Sequence, residues 1–275
     1  MAGITSTDVP VQILKNTILE GLQVVSSLSP ANVSEWDPVS WWTKEDPLAS
    51  SALLCLAIIS YCLVASWITG NYSQVDKIWS ISPFLYIWNY FLHCFVTQGL
   101  DERLCVMTIL STMWGLRLTY NFARKGGYSG EEDYRWPALR KIIGNKELFE
   151  LFNQGYNASY KNILLLLQVL PVDIAYRAAV LSTNTATFGA KDAAVATCFF
   201  MLLVGEATAD QQQWNFQNAK AAAKRNEPGA PALAGDYKRG FLTRGLFRYS
   251  RHPIFFCEQA LWCVFYLFSV TASGS

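Results

Sequence analysis

Six stretches of this chain are apolar for about twenty residues at a time, the length an α-helix needs to cross a bilayer. They run 50–69, 78–97, 103–122, 161–182, 190–208 and 254–270. No other feature constrains the fold as strongly. Inside lipid every backbone N–H and C=O must find its partner within a helix or a closed barrel. The stretches are continuous apolar runs of helical rather than strand length, which selects helices. The sequence therefore reads as an all-α protein, a polytopic membrane helical bundle with six visible spans. Composition agrees, with 52% hydrophobic and only 16% charged residues, against about a quarter charged in soluble domains. Ten Trp, 13 Tyr and 16 Phe suit the two membrane interfaces.

Two long polar stretches, 123–160 and 209–253, separate the spans. The first carries Arg124, Lys125, Arg135, Arg140, Lys141 and Lys146; the second carries Lys220, Lys224, Arg225, Lys238, Arg239, Arg244, Arg248 and Arg251. Two spans lie between them, so both fall on one face. The connections on the other face, near 98–102 and 183–189, contain no Lys or Arg. Basic residues favour the cytosol, which makes both polar stretches cytosolic and the N-terminus lumenal. Residues 1–49 then form a lumenal region, with an amphipathic helix over 9–25, and residues 50–275 form the membrane domain. A glycosylation sequon at Asn32 would be lumenal, and those at Asn71 and Asn157 cytosolic.

Several function classes are excluded at this stage. A net charge of +1 offers no field for nucleic acid. The seven cysteines include no C-x-x-C pair, so no metal site or disulfide framework is expected. His93 and His252 are the only histidines, too few for the di-iron site of a lipid desaturase.

Charged residues within spans need a reason, because each costs about 2.5–3.5 kcal/mol on insertion scales. Asp173 and Arg177 stand four apart, on one helical face, as an internal pair or the wall of a polar cavity. Arg117, in WGLRLTY, either lines the interior or extends toward the cytosolic end. Pro171 is expected to kink its helix. The richest stretch is GFLTRGLFRYSRHPIFFCE, 240–258, where Arg244, Arg248, Arg251 and His252 crowd a helix opening at Pro253. Proline suits a first helical position. Helix N-termini and arginines both attract anions. Glu258 follows about one and a half turns further in and needs hydrogen-bond donors. Upstream, Glu206 and Asp210 form a second carboxylate pair four residues apart.

The run GLFRYSRHPIFFCEQALW resembles the C-terminal signature of the steroid 5-alpha-reductase superfamily, specifically its uncharacterised membrane branch. That branch is similar also in VDKIWS (75–80), WGLRLTYNFARKGGYSGEEDYRW (114–136) and GEATADQQQWNF (205–216). The resemblance covers roughly 50–270. It implies a seven-helix bundle in the endoplasmic reticulum, so 50–275 reads as a reductase-like domain short of its last helix. NADPH would enter from the cytosol and an apolar, lipid-like substrate from the membrane, without metal. By resemblance Asp210, Arg244, Tyr249, Arg251, His252 and Glu258 are cofactor-site residues, with Glu258 on the nicotinamide amide. Asp76, Arg117 and Tyr134 belong to the substrate end, where Tyr134 and Arg117 are the alternatives for the enolate-stabilising donor. Ile254, Phe255 and Gln217 depart from the Asn, Tyr and basic residue usual in the family. The implied activity is NADPH reduction of a conjugated carbon–carbon double bond. The alternatives are an S-adenosylmethionine-dependent membrane methyltransferase of the isoprenylcysteine or phospholipid type and a non-catalytic scaffold.

Overall fold

A computed structural model describes residues 37–181, 187–232 and 234–274. The amphipathic helix expected over 9–25 and the sequon at Asn32 lie outside the described residues. Among the described residues, Asp-Pro pairs start the first two helices. Asp37 caps α1 (Pro38–Lys44) by accepting from Val39 N at 3.0 Å. Asp46 caps α2 (Pro47–Thr69) by accepting from Leu48 N at 2.8 Å. Each Asp satisfies an orphan amide, and each Pro has no amide to orphan. Next come α3 (Gln74–Ile78), α4 (Ser82–Thr97) and α5 (Glu102–Arg124), the last capped by Asp101. Residues 80–84 and α5 approach closely. A Cβ on Gly115 would stand 2.6 Å from Ser80 O, so only glycine permits the contact.

A helical run then extends well upstream of the expected 161–182 span. It comprises α6 (Arg135–Ile143), α7 (Lys146–Phe152), a wide π turn (Asn153–Tyr160), α8 (Lys161–Gln168) and α9 (Leu170–Leu181). Much of the polar stretch 123–160 is thus helical, not loop. The helix is interrupted at Val169, two residues before Pro171, which has no amide for the ladder; the expected interruption is present. Asn157 is buried, its amide nitrogen donating to Tyr72 O at 2.9 Å and Asn153 Oδ1 at 3.0 Å. Its sequon is closed in the fold, so its modification state says nothing about topology. The chain continues through α10 (Ala190–Lys224), α11 (Asp236–Arg239), a 3₁₀ turn (Gly245–Arg248) and α12 (Pro253–Ala272). At 35 residues, α10 is about 50 Å long and outruns a hydrocarbon core of about 30 Å.

Among the described residues, four segments are long and apolar enough to cross a membrane: Pro47–Thr69, Lys146–Val180, Ala190–Lys224 and Pro253–Ala272. The protein is an integral membrane protein. The six-span expectation divides here, because α4 has 16 residues and α5 carries Arg103, Arg117 and Arg124. Both nonetheless sit in the bundle. Tyr86, Ile87 and Tyr90 of α4 and Leu104, Met107 and Trp114 of α5 pack into one core with Val172, Phe199, Leu203, Leu261, Phe265 and Phe268. Leu56, Trp67, Phe95, Leu116, Met201 and Phe256 face outward, forming an exterior suited to lipid rather than water. Among the described residues there is no strand.

One end of the bundle is fastened by buried charge. Arg103 donates to both oxygens of Asp192, at 2.7 and 3.0 Å, and Thr271 adds a bond to Asp192 Oδ1 at 2.6 Å. This ties the starts of α5 and α10 to the finish of α12. At the same end Arg177 bridges Asp173 and Asp46, each at 2.8 Å. The pair read from the sequence is therefore a triad that also holds the start of α2.

Candidate functional site

The opposite end, where α5 and α10 leave the core and α12 enters it, contains a large cavity. Its volume is about 1380 Å³, above the usual range of about 300–1,000 Å³ for small-molecule sites. Trp79, Leu118, Phe247, Phe255 and Trp262 give it apolar walls. Arg248, Tyr249, Arg251 and His252 line its mouth, and Glu206 and Glu258 its floor.

Local sequence explains the mouth. The 240–252 loop is fastened to α10 at two points: Lys220 Nζ donates to Gly240 O at 2.9 Å, and Leu246 N donates to Gln212 Oε1 at 2.9 Å. Gly245 has φ +63°, and a Cβ there would fall 2.4 Å from Gln212 Oε1. Asp236 closes the loop on itself by accepting from Arg239 and from Thr243 N and Oγ1. Those bonds, Arg239 first, hold its carboxyl down at about 2. Pro253 opens α12, and the first helical residues, Pro253, Ile254 and Phe255, line the cavity. Among the described residues no carboxylate lies within 4 Å of Arg244, Arg248 or Arg251, so the mouth is cationic and its donors are uncommitted.

The floor is a carboxylate cluster around one guanidinium. Arg117 Nη2 lies 2.7 Å from Glu206 Oε1, and its Nη1 contacts Asp210. Asn121 Nδ2 donates to Asp210 Oδ2 at 2.7 Å. Glu258 accepts from Trp114 Nε1 at 3.0 Å and Trp262 Nε1 at 2.9 Å. The carboxyls of Glu206 and Glu258 face each other, and Glu206 Oε2 is buried without a donor. Two acidic side chains thus bracket one arginine, a third faces Glu206, and Glu206 Oε2 is buried without a hydrogen-bond donor.

The residues singled out from the sequence separate into three groups. Tyr249, Arg251, His252 and Glu258 line the cavity together. Arg117 and Asp210 stand behind its wall, occupied by each other and by Glu206 and Asn121. The rest are elsewhere. Arg244 is exposed and outside the lining. Tyr134 is 82% exposed at the start of α6, too far into solvent to stabilise an oxyanion in this cavity. Asp76 accepts from Trp136 Nε1 at 3.0 Å beside a separate, smaller cavity. Sequence reasoning did not place Trp114, Trp262, Gln213 and Gln259 in the site. The usable signal was helical spacing, since Trp114 is one turn before Arg117 and Trp262 one turn after Glu258. No group of three His, Cys, Asp or Glu side chains among the described residues is arranged to hold a metal ion.

A family model described as a protein of unknown function, DUF1295, matches residues 62–275. The chain belongs to this family. The matched region begins within α2 and includes both the carboxylate floor and the cationic mouth. The chain is also 39% identical over 216 residues to an uncharacterized protein of Schizosaccharomyces pombe, a match covering 77% of this chain and 61% of that relative. It therefore spans about three-fifths of the relative's length. No solved structure matches the chain.

Proposed function

We propose that this protein is an NADPH-dependent membrane reductase of the steroid 5-alpha-reductase type, acting on a conjugated carbon–carbon double bond of a lipid or steroid-like substrate. One observation carries the reading: uncommitted arginines and the start of α12 surround the mouth of a large apolar cavity whose floor holds carboxylates. A dinucleotide has the complementary profile. Its phosphates match Arg248, Arg251 and the start of α12, and its carboxamide matches Glu258. Ile254 lines the cavity and has no side-chain amide, but Gln213 and Gln259 line it too and supply that chemistry. NADPH supplies a hydride when bound.

The chain's own residues do the rest. Trp79, Leu118 and Trp262 exclude water and accept an apolar substrate. Trp114 and Trp262 orient Glu258 by donating to both its oxygens. Arg117 fixes Glu206 from behind, and the dry surroundings strengthen each of these donors. Tyr134 is remote, so the donor to a developing enolate oxygen belongs among the groups lining the cavity.

In this reading α4 and α5 count as spans, giving six crossings, with the mouth cytosolic and residue 37 on the lumenal side. The basic residues of both polar stretches support that orientation. Endoplasmic reticulum is the corresponding location.

The test is thermal protection and NADPH fluorescence with the protein in lipid nanodiscs. Protection by NADPH is expected in wild type, weakened about tenfold in Arg251→Ala and in Glu258→Gln. Protection by S-adenosylmethionine but not NADPH would replace the reductase with a methyltransferase. Protection by neither would leave a membrane scaffold.

A further inference from the structure

Beside the main cavity lies a second one of about 430 Å³. Val75, Trp79, Leu164 and Leu165 form its apolar walls, and Asp76, Arg135 and Lys161 its polar end. Trp79 and Gln168 line both cavities, so the two share a wall.

The charges at the polar end are unequally committed. Asp76 accepts from Trp136 Nε1 and lies 3.5 Å from Arg135. Asp133 accepts from Arg135 Nε at 2.7 Å, Nη2 at 3.2 Å and the backbone N at 2.9 Å. Arg135, first of all causes, holds the Asp133 carboxyl below its ordinary range. The two carboxylates and the guanidinium thus satisfy one another. Lys161 differs. It is half-buried, donates a single hydrogen bond to Asn157 Oδ1 at 3.0 Å and rests over the Trp136 ring at 4.9 Å. No carboxylate among the described residues is within 4 Å of it. An ammonium has three donors, and desolvation by leucine walls sharpens its need for an acceptor. The four charges sum to zero, so an arriving anion meets spare donors rather than net repulsion.

We propose that Lys161 anchors the anionic head, a carboxylate or a phosphate, of a single-chain amphiphile whose tail passes Trp79 and Gln168 into the larger cavity. The anchor stands independently of the reductase reading.

The experiment uses cis-parinaric acid, a fluorescent fatty acid, and its methyl ester, titrated against the protein in phosphatidylcholine nanodiscs. Wild type is expected to bind the acid about tenfold more tightly than the ester. Lys161→Gln abolishes that preference, Lys161→Arg keeps most of it, and Leu165→Trp, which fills the cavity without touching charge, weakens the acid. Each variant's thermal midpoint reports on folding. Nanodiscs containing phosphatidylglycerol identify the source of the head: displacement of the acid assigns the site to a lipid phosphate, and no displacement to a free carboxylate. Equal binding of acid and ester by wild type, or an undiminished preference in folded Lys161→Gln, overturns the proposal. NADPH titration of the same samples reports on the larger cavity alone, so failure of the reductase reading is separately visible.

Discussion

Replacing Arg117 by Met tests whether the carboxylate floor depends on a single cation. Arg117 is 12% exposed and sits between Glu206, 1% exposed, and Asp210, 12% exposed. The substitution preserves most of the side-chain volume and removes the charge. Two buried carboxylates then lose their counter-ion while a third, Glu258, still faces Glu206. Breaking a buried pair from one side costs about 3–5 kcal/mol, because the remaining charge is buried uncompensated. At about 2–4 °C per kcal/mol for a chain of this size, the midpoint should fall by about 10 °C. The assay is thermal unfolding of purified protein in one detergent at one scan rate, followed by loss of the monodisperse chromatographic peak. A second arm adds Glu206→Gln and Asp210→Asn to Arg117→Met. Neutral amides need no counter-ion, so this triple variant should recover at least half of the lost midpoint. Arg117→Lys should fall between, since one ammonium cannot bridge both carboxylates as a guanidinium does. A shift under about 2 °C in the single variant, or a triple variant no better than it, would refute the reasoning.

Three further outcomes follow from other contacts. Asp192→Ala leaves Arg103, 4% exposed, without its two-point partner and should cost about 3–5 kcal/mol in the same unfolding assay; because it acts at the far end, ligand binding by the surviving protein should be unchanged. Gly245→Val places a branched side chain at φ +63° against Gln212, costing about 1–2 kcal/mol locally, and faster amide exchange across 240–252 is the readout. Asp236 has a folded value of about 2, below its ordinary 3.8, so its contribution is fully present above the ordinary value and is lost only as pH falls through about 2. Exchange protection at Thr243 should therefore be constant from neutral to mildly acid pH in wild type, and already lost at neutral pH in Asp236→Ala.

What the sequence made legible follows from how local each signal is. Runs such as 50–69 and 254–270 are mostly apolar and emerged as helix near their expected limits, whereas 190–208 started where expected and continued as helix to Lys224. Pro253 marked the start of α12 and Pro171 the break before α9, because a missing amide acts at its own position. Longer-range features were hidden. The helical run from Lys146 was obscured by polar residues such as Asn153 and Asn157, which are buried against Tyr72 and each other and so escape the usual penalty of a polar stretch. The pairing of Arg117 with Glu206 and Asp210 joins α5 to α10 across about ninety residues, and no local spacing encodes it. Tyr134 fell in a motif that also contains Arg117, yet the chain turns between them and carries the ring into solvent.

Two indole N–H groups, from Trp114 and Trp262, end on the same carboxylate at the bottom of the large cavity. The molecule thus contains a reporter dye of its own. Anything that draws Glu258 away from either ring alters the polarity felt by the excited indole, and emission colour shifts with it. Comparing wild type with Trp262→Phe isolates that signal from the other tryptophans, so occupancy of the deepest point can be read by light without attaching a label.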